Sequence, residues 1–362
     1  MSWNNNPATN VAYGGAMTDT PFLAVDLPVL QANIARAQTW AGTRRLRLRP
    51  HVKTHKCIEI GRLQVEAGAS GITVATIGEA EVFADAGFND LFIAYPLWPH
   101  PDARARLAAL ASRRRVLIGI DSLDAARGWS GVGASALVEV DSGHHRSGVR
   151  PADAGQLATD AAASGLDVVG AFTFPGHSYS PTGRLDAALD EQDALAEAAS
   201  ALRGVGVEPV IISGGSTPSL EGTGFGMTES RPGVYVFNDA QQWELGSCTP
   251  DRIALTCHAT VVSHAGGRLV LDAGSKALGA DRAPWASGFG RLLDHPDARL
   301  VILSEHHAVA DLAGAPLPAL GSTVRVVPNH ACNAVNLADE LAVFDSGRRV
   351  GTWAVAARGR TS

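Results

Sequence analysis

The chain has 362 residues, of which 46% are hydrophobic and 18% charged, with a net charge of -6 and a pI near 6.0. That is enough for a large core and two domains, and it excludes the basic balance of a nucleic-acid binder. Cys57, Cys248, Cys257 and Cys332 show no disulfide spacing, and no apolar run approaches the roughly 18 residues of a bilayer span, so a cytoplasmic protein is expected.

Residues 1–20 are rich in Asn, Ala and Gly, lack the pattern of a signal peptide, and read as a flexible N-terminus. Residues 22–25 read as a strand. Asp26 reads as the cap of a helix with Pro28 in its first turn and Leu30, Ile34 and Ala37 as its apolar stripe. A strand-like run at 45–48 then opens onto Arg49-Pro50-His51-Val52-Lys53-Thr54-His55-Lys56.

From there an apolar run, a turn and an amphipathic helix repeat. Strands are expected at 71–75, 90–95, 116–120, 136–140, 168–172, 209–213 and 233–237, with Ala-rich helices such as 101–111, 152–164 and 186–203. Eight such units, with strands apolar on both faces, predict an α/β fold: a parallel sheet closed into a (β/α)8 TIM-like barrel over residues 21–246. No Gly-x-Gly-x-x-Gly follows an early strand, which weighs against an open dinucleotide-binding sheet. Runs at 253–257, 259–263, 268–272, 324–327, 341–344 and 352–355, with turns at Gly266-Gly267 and Ser346-Gly347, predict a second, mostly β domain over 247–362.

Chemistry-bearing residues fall where these strands end. Lys53 and Lys56 are both candidate nucleophiles, since a lysine beside cations or out of water loses proton affinity; Pro50 restricts the chain just before Lys53. Val140-Asp141-Ser142-Gly143-His144-His145-Arg146 follows the fifth strand, and Phe174-Pro175-Gly176-His177-Ser178-Tyr179 follows the sixth. His177 can act as a base near neutral pH. Ser213-Gly214-Gly215-Ser216-Thr217-Pro218 follows the seventh strand, where barrels hold phosphate; small residues let N–H groups converge on a dianion. Tyr235, between Val234 and Val236, faces either the barrel mouth or the core. His330 and Cys332, two residues apart, point the same way if extended and suit a borderline-soft metal.

These stretches, from about residue 20 to about residue 350, resemble the D-serine dehydratase and D-threonine aldolase family. These are fold-type III pyridoxal-phosphate enzymes related to the alanine racemase N-terminal barrel. The resemblance implies that Lys53 holds pyridoxal 5'-phosphate as a Schiff base. It implies that Gly214, Gly215, Ser216 and Thr217 bind its phosphate, that Arg146, Tyr179 and Tyr235 surround it, and that His330 and Cys332 bind Zn2+ or another divalent metal. Residues 21–26 are expected to return to the β domain.

The implied activity is dehydration of a D-3-hydroxy amino acid, such as D-serine, to a 2-oxo acid and ammonia, by a homodimer. His177 is a departure, because dehydratases of the group resemble Gly-Asn-Thr-Tyr there. A histidine at this place takes the hydroxyl proton in the aldolases, so cleavage to glycine and an aldehyde is the alternative; racemisation and a non-catalytic cofactor carrier are others. Lys276, His306 and His307 lie in partly matching segments and are read as structural.

Overall fold

Asp26 ends one strand and starts one helix. Its Oδ1 accepts the Val29 N–H at 3.1 Å, capping Leu27–Thr43 with Pro28 in the first turn. Leu30, Ile34, Ala37 and Ala41 form the buried stripe of that helix. The computed structural model describes residues 19–362 except 221 and 223, so the N-terminal stretch read as flexible lies almost wholly outside the described residues.

The parallel sheet has eight strands. In spatial order they are Arg47–Leu48, Glu229–Ser230, Ile211–Gly214, Val168–Phe172, Ser135–Glu139, Arg115–Ile120, Asp90–Pro96 and Ile72–Val74. The lysine segment joins the two ends. His51 bridges Thr73 in parallel, and the Thr73 N–H donates to Pro50 O at 2.8 Å. Because strand side chains alternate, Leu91 and Ile93 pack outward with the helices. Phe92, Leu117, Leu137, Phe172 and Ile211 form a separate buried cluster that plugs the barrel.

Charge is buried in the barrel too. Arg49 is 1% exposed; its Nε lies 3.0 and 3.1 Å from the two Glu229 oxygens and one terminal nitrogen 2.6 Å from Asp90. Ser213 links Glu229 to Arg231, donating to Glu229 at 2.8 Å and accepting from Arg231 Nε at 2.7 Å. Buried charges persist only where paired in this way.

The second sheet has nine strands and includes Phe22–Asp26. That strand lies antiparallel to Leu255–Ser263 and parallel to Glu340–Asp345. Leu269–Leu271 pairs with both Leu255–Ser263 and Ala308–Asp311, folding the sheet back on itself.

Three expectations are corrected. The eighth barrel strand is Glu229–Ser230, not 233–237, and Val234–Val236 is a turn of 3-10 helix. Pro232 has no N–H for the ladder, so the strand stops before it. The runs 253–257 and 259–263 are one strand, Leu255–Ser263. Strands Gly290–Leu292, His295–Leu303 and Ala308–Asp311 were not anticipated; the long one starts His-Pro-Asp-Ala-Arg and exposes Val301 and Ile302, so its alternation is weak. Among the described residues no helix is long and apolar enough to cross a membrane.

Candidate active site

The structure separates the two lysines. Lys56, in a left-handed conformation (φ 50°), is 7% exposed; it pairs with Glu79 at 3.3 Å and donates to Asn336 Oδ1 at 2.7 Å. It is a structural cation. Lys53 sits in the 3-10 turn Val52–Thr54, with Nζ 6.0 Å above the centre of the Phe174 ring. It opens into a cavity of about 310 Å³ that also exposes Arg146, Tyr179, Ser216, His330 and Cys332. Six of the residues singled out from sequence therefore meet at one place, drawn from both sheets.

His51 lines the cavity beside Lys53, and its Nδ1 is buried without a protein partner. Burial, then the charges of Lys53 and Arg231, hold its pKa well below the ordinary imidazole value, so it is neutral. His55 is not in the lining. Its Nδ1 accepts the Cys57 N–H at 3.1 Å, and its Nε2 lies 3.2 Å from Gln64 Oε1, so it braces the turn from behind.

Arg146 places its guanidinium 5.2 Å from the Phe174 ring centre. Tyr179 tilts against the same ring at 6.2 Å; burial and then the Cys332 charge push its phenol up. The residues missed from sequence are Glu139 and Arg231. Glu139 accepts from Ser147 at 2.9 Å through Oε1, while Oε2 is buried and unpartnered; burial raises its pKa against the pull of Ser147, Arg146 and Arg231. Arg231 is wedged between Phe92 and Phe172, donates to Thr173 O and Ser213, and is held down to about 10 by burial. A charged residue ending the apolar strand Ser135–Glu139 was the available signal for the first. An arginine just before Pro232 was the signal for the second.

The remaining residues lie elsewhere. His177 does not line the cavity; its Nε2 lies 3.1 Å from Asp190 Oδ2. Tyr235 is in the core, its hydroxyl accepting from Gln64 Nε2 at 3.0 Å, because the eighth strand ends too early to aim it at the mouth. Gly214 and Gly215 form the turn rather than a free cradle. The Gly215 N–H donates to the buried carboxylate of Glu191, and the Ser216 N–H to Ser219 Oγ at 3.1 Å. Ser216 lines the cavity, its Oγ bonded to Ser178 Oγ at 2.8 Å and to Ser219 Oγ at 2.9 Å, whereas Thr217 lies outside the lining and accepts the Tyr235 N–H at 3.0 Å.

His330 and Cys332 are not on one extended segment. His330 is the extended cap of helix Ala331–Leu337, and Cys332 lies in its first turn. Both still reach the cavity. His330 Nδ1 lies 2.5 Å from Asp281 Oδ2, and Cys332 Sγ lies 3.3 Å from Thr54 Oγ1. Burial opposes charge on both, but each outweighs it for the other. His330 is pushed up by Cys332 and Asp281, and the Cys332 thiol is held below its ordinary value by His330 and Lys53.

These residues fit the two implied groups. Lys53, Ser216, and His51 and Glu139, whose Nδ1 and Oε2 have no protein partner, line one cavity that pyridoxal phosphate suits. One imidazole fixed through Nδ1 by a carboxylate, with one acidified thiol, suits a borderline-soft ion. Among the described residues no three His, Cys, Asp or Glu side chains gather as a metal site.

Residues 25–241 match the alanine racemase N-terminal domain, and residues 254–344 match the serine dehydratase domain. The chain is 35% identical to a D-threo-3-hydroxyaspartate dehydratase of Delftia sp. (strain HT23), over 87% of this chain and 91% of that protein. It is 33% identical to a D-threonine aldolase of Arthrobacter sp., over 95% and 94%. The solved structure of the Delftia enzyme aligns with a TM-score of 0.86 at 32% identity, covering 93% of this chain and 97% of that one; a cysteine-to-alanine variant of it, solved in a metal-free form, aligns equally well. The chain thus belongs to the alanine racemase N-terminal domain family of fold-type III pyridoxal-phosphate enzymes, in the form that carries a serine dehydratase domain.

Proposed function

We propose that this protein is a lyase that dehydrates a D-3-hydroxy amino acid to a 2-oxo acid and ammonium, using pyridoxal phosphate at Lys53 and zinc at His330 and Cys332. The observation that carries the reading is the meeting of Lys53 with His330 and Cys332 in one cavity. A cofactor lysine alone fits many reactions, whereas an imidazole–thiol pair beside it is suited to binding a leaving hydroxyl.

Bound there, the cofactor would supply an electron sink for charge at the substrate Cα, and the ion would supply a Lewis acid toward the 3-hydroxyl. Lys53 Nζ would hold the cofactor and would serve as the base for the proton on Cα. The neutral His51 beside it adds no competing charge. Arg146 would orient an anionic group of the substrate, and His330 and Cys332 would hold the ion. Phe172, Phe174 and Val234 keep the wall apolar and limit water. His177, paired with Asp190 outside the lining, is poorly sited as the base that an aldol cleavage needs.

The test is product analysis. Protein loaded with cofactor and zinc is incubated with D-serine, D-threonine and D-threo-3-hydroxyaspartate, and 2-oxo acid, ammonia and glycine are assayed separately. Equal amounts of 2-oxo acid and ammonia are expected; glycine with an aldehyde and no 2-oxo acid would replace dehydration by aldol cleavage.

A further inference from the structure

The loop that carries Ser216 has two sides. Ser216 and Val234 face the Lys53 cavity, while their neighbours Thr217 and Tyr235 face a second cavity of about 220 Å³ behind it. The far wall of this second cavity is helix Leu27–Thr43, which contributes Arg36 and Trp40, together with Arg252 from the start of the β domain. Arg184, the first residue of helix Arg184–Gly204, completes the rim.

Among the described residues, three guanidiniums face this space and no carboxylate lines it. Among the described residues, Arg36 donates to Asn33 Oδ1 at 3.1 Å and Arg184 to Ser247 Oγ at 3.4 Å, both neutral acceptors. Asp251 feels the charges of Arg36 and Arg252 but stands outside the lining, exposed to water. Two N–H donors in the lining, Trp40 Nε1 and Arg252 Nε, are buried with no acceptor. Such donors cost free energy that a bound acceptor returns. The Arg252 position is also built: its carbonyl accepts from Asn33 and from Asn238, each at 2.9 Å, which fixes the backbone from which the guanidinium projects.

We propose that this cavity is a second anion site, separate from the Lys53 cavity, that takes a small dianionic oxyanion, either a phosphate or a dicarboxylate. Arg36, Arg184 and Arg252 supply the charge, and Trp40 Nε1 and Arg252 Nε supply directed donors. The site's Thr217–Tyr235 wall, joined by the Tyr235 N–H donating to Thr217 Oγ1 at 3.0 Å, adjoins Ser216 and Val234 of the Lys53 cavity. The inference does not depend on which reaction the Lys53 cavity catalyses.

The test is calorimetric titration of cofactor-loaded protein with inorganic phosphate and, separately, with succinate. Saturable binding of at least one, at millimolar concentration or below, is expected. Phosphate alone assigns the site to phosphates, and succinate alone to dicarboxylates. The double variant Arg36→Gln/Arg252→Gln is expected to abolish the binding. Trp40→Phe, which keeps an aromatic ring and removes the N–H, is expected to weaken it about tenfold. Arg36→Gln and Trp40→Phe keep the question answerable if the Arg252 substitution impairs folding. Absence of saturable binding, binding unchanged by these substitutions, or binding seen only before the cofactor is loaded would each overturn the proposal.

Discussion

His330 Nδ1 and Asp281 Oδ2 are 2.5 Å apart, which leaves Nε2 as the ring nitrogen available to an ion. Asp281 thereby sets the tautomer and the ring direction of a residue in the cavity without lining that cavity itself. Asp281→Asn is expected to weaken divalent-metal affinity by about 10–100-fold. A zinc titration against a competing chelator measures this, and the cofactor absorbance should be unchanged. Wild-type affinity in that variant would remove Asp281 from any role toward the ion.

The two lysines make opposite predictions. Lys53→Ala is expected to lose the absorbance of bound cofactor while keeping wild-type stability, because Lys53 is exposed to the cavity and carries no packing load. Lys56→Ala leaves the Glu79 carboxylate, 2% exposed, without its cation. Breaking such a buried pair costs about 3–5 kcal/mol, read as a lower urea midpoint. If Lys56→Ala lost the cofactor and kept its stability, the assignments would have to be exchanged.

Much of this site was legible because its residues end strands. Lys53, Arg146, Tyr179 and Ser216 each follow a strand, and the barrel brings those ends together. His330 and Cys332 were legible as a pair, but not their helical setting: His330 is extended and Cys332 is helical, and only the fold brings both to the cavity. Tyr235 was read against strand alternation that Pro232 had already ended, so its side chain went to the core. Glu191 was hidden for another reason. It lies in the middle of helix Arg184–Gly204, more than 20 residues before the Gly215 whose N–H it accepts, and no spacing rule connects the two.

Gly215 is required by its own geometry. It has φ 89°, and an added Cβ would lie 2.1 Å from Ser230 Oγ. The left-handed strain costs about 1–3 kcal/mol before any clash. Gly215→Ala should therefore lower the urea midpoint, and it should weaken cofactor binding by displacing Ser216. Adding Ser230→Gly is expected to recover part of the stability, since Ser230 Oγ has no partner to lose. No recovery in the double variant would show that strain alone, not the contact, sets the cost.

His258 gives the β domain a pH dependence of its own. It lies in strand Leu255–Ser263, with its ring 4.9 Å from Phe22 and 5.5 Å from Phe344. Burial, then the Arg325 charge, lowers its pKa from 6.5 to about 4. Between those values the unfolded chain binds the proton and the folded chain does not, so stability rises with pH. The contribution is full above pH 6.5 and is lost as the pH falls toward 4, by something on the order of 3 kcal/mol. His55, also lowered to about 4, acts in the same direction. In His258→Phe the urea midpoint should therefore fall less steeply between pH 6.5 and 4 than in the wild type, and the slope that remains should be shallower but of the same sign. A variant with the full wild-type slope would show that His258 binds its proton alike in the folded and unfolded chains, and the ring contacts with Phe22 and Phe344 would then have to accommodate a cation at low pH.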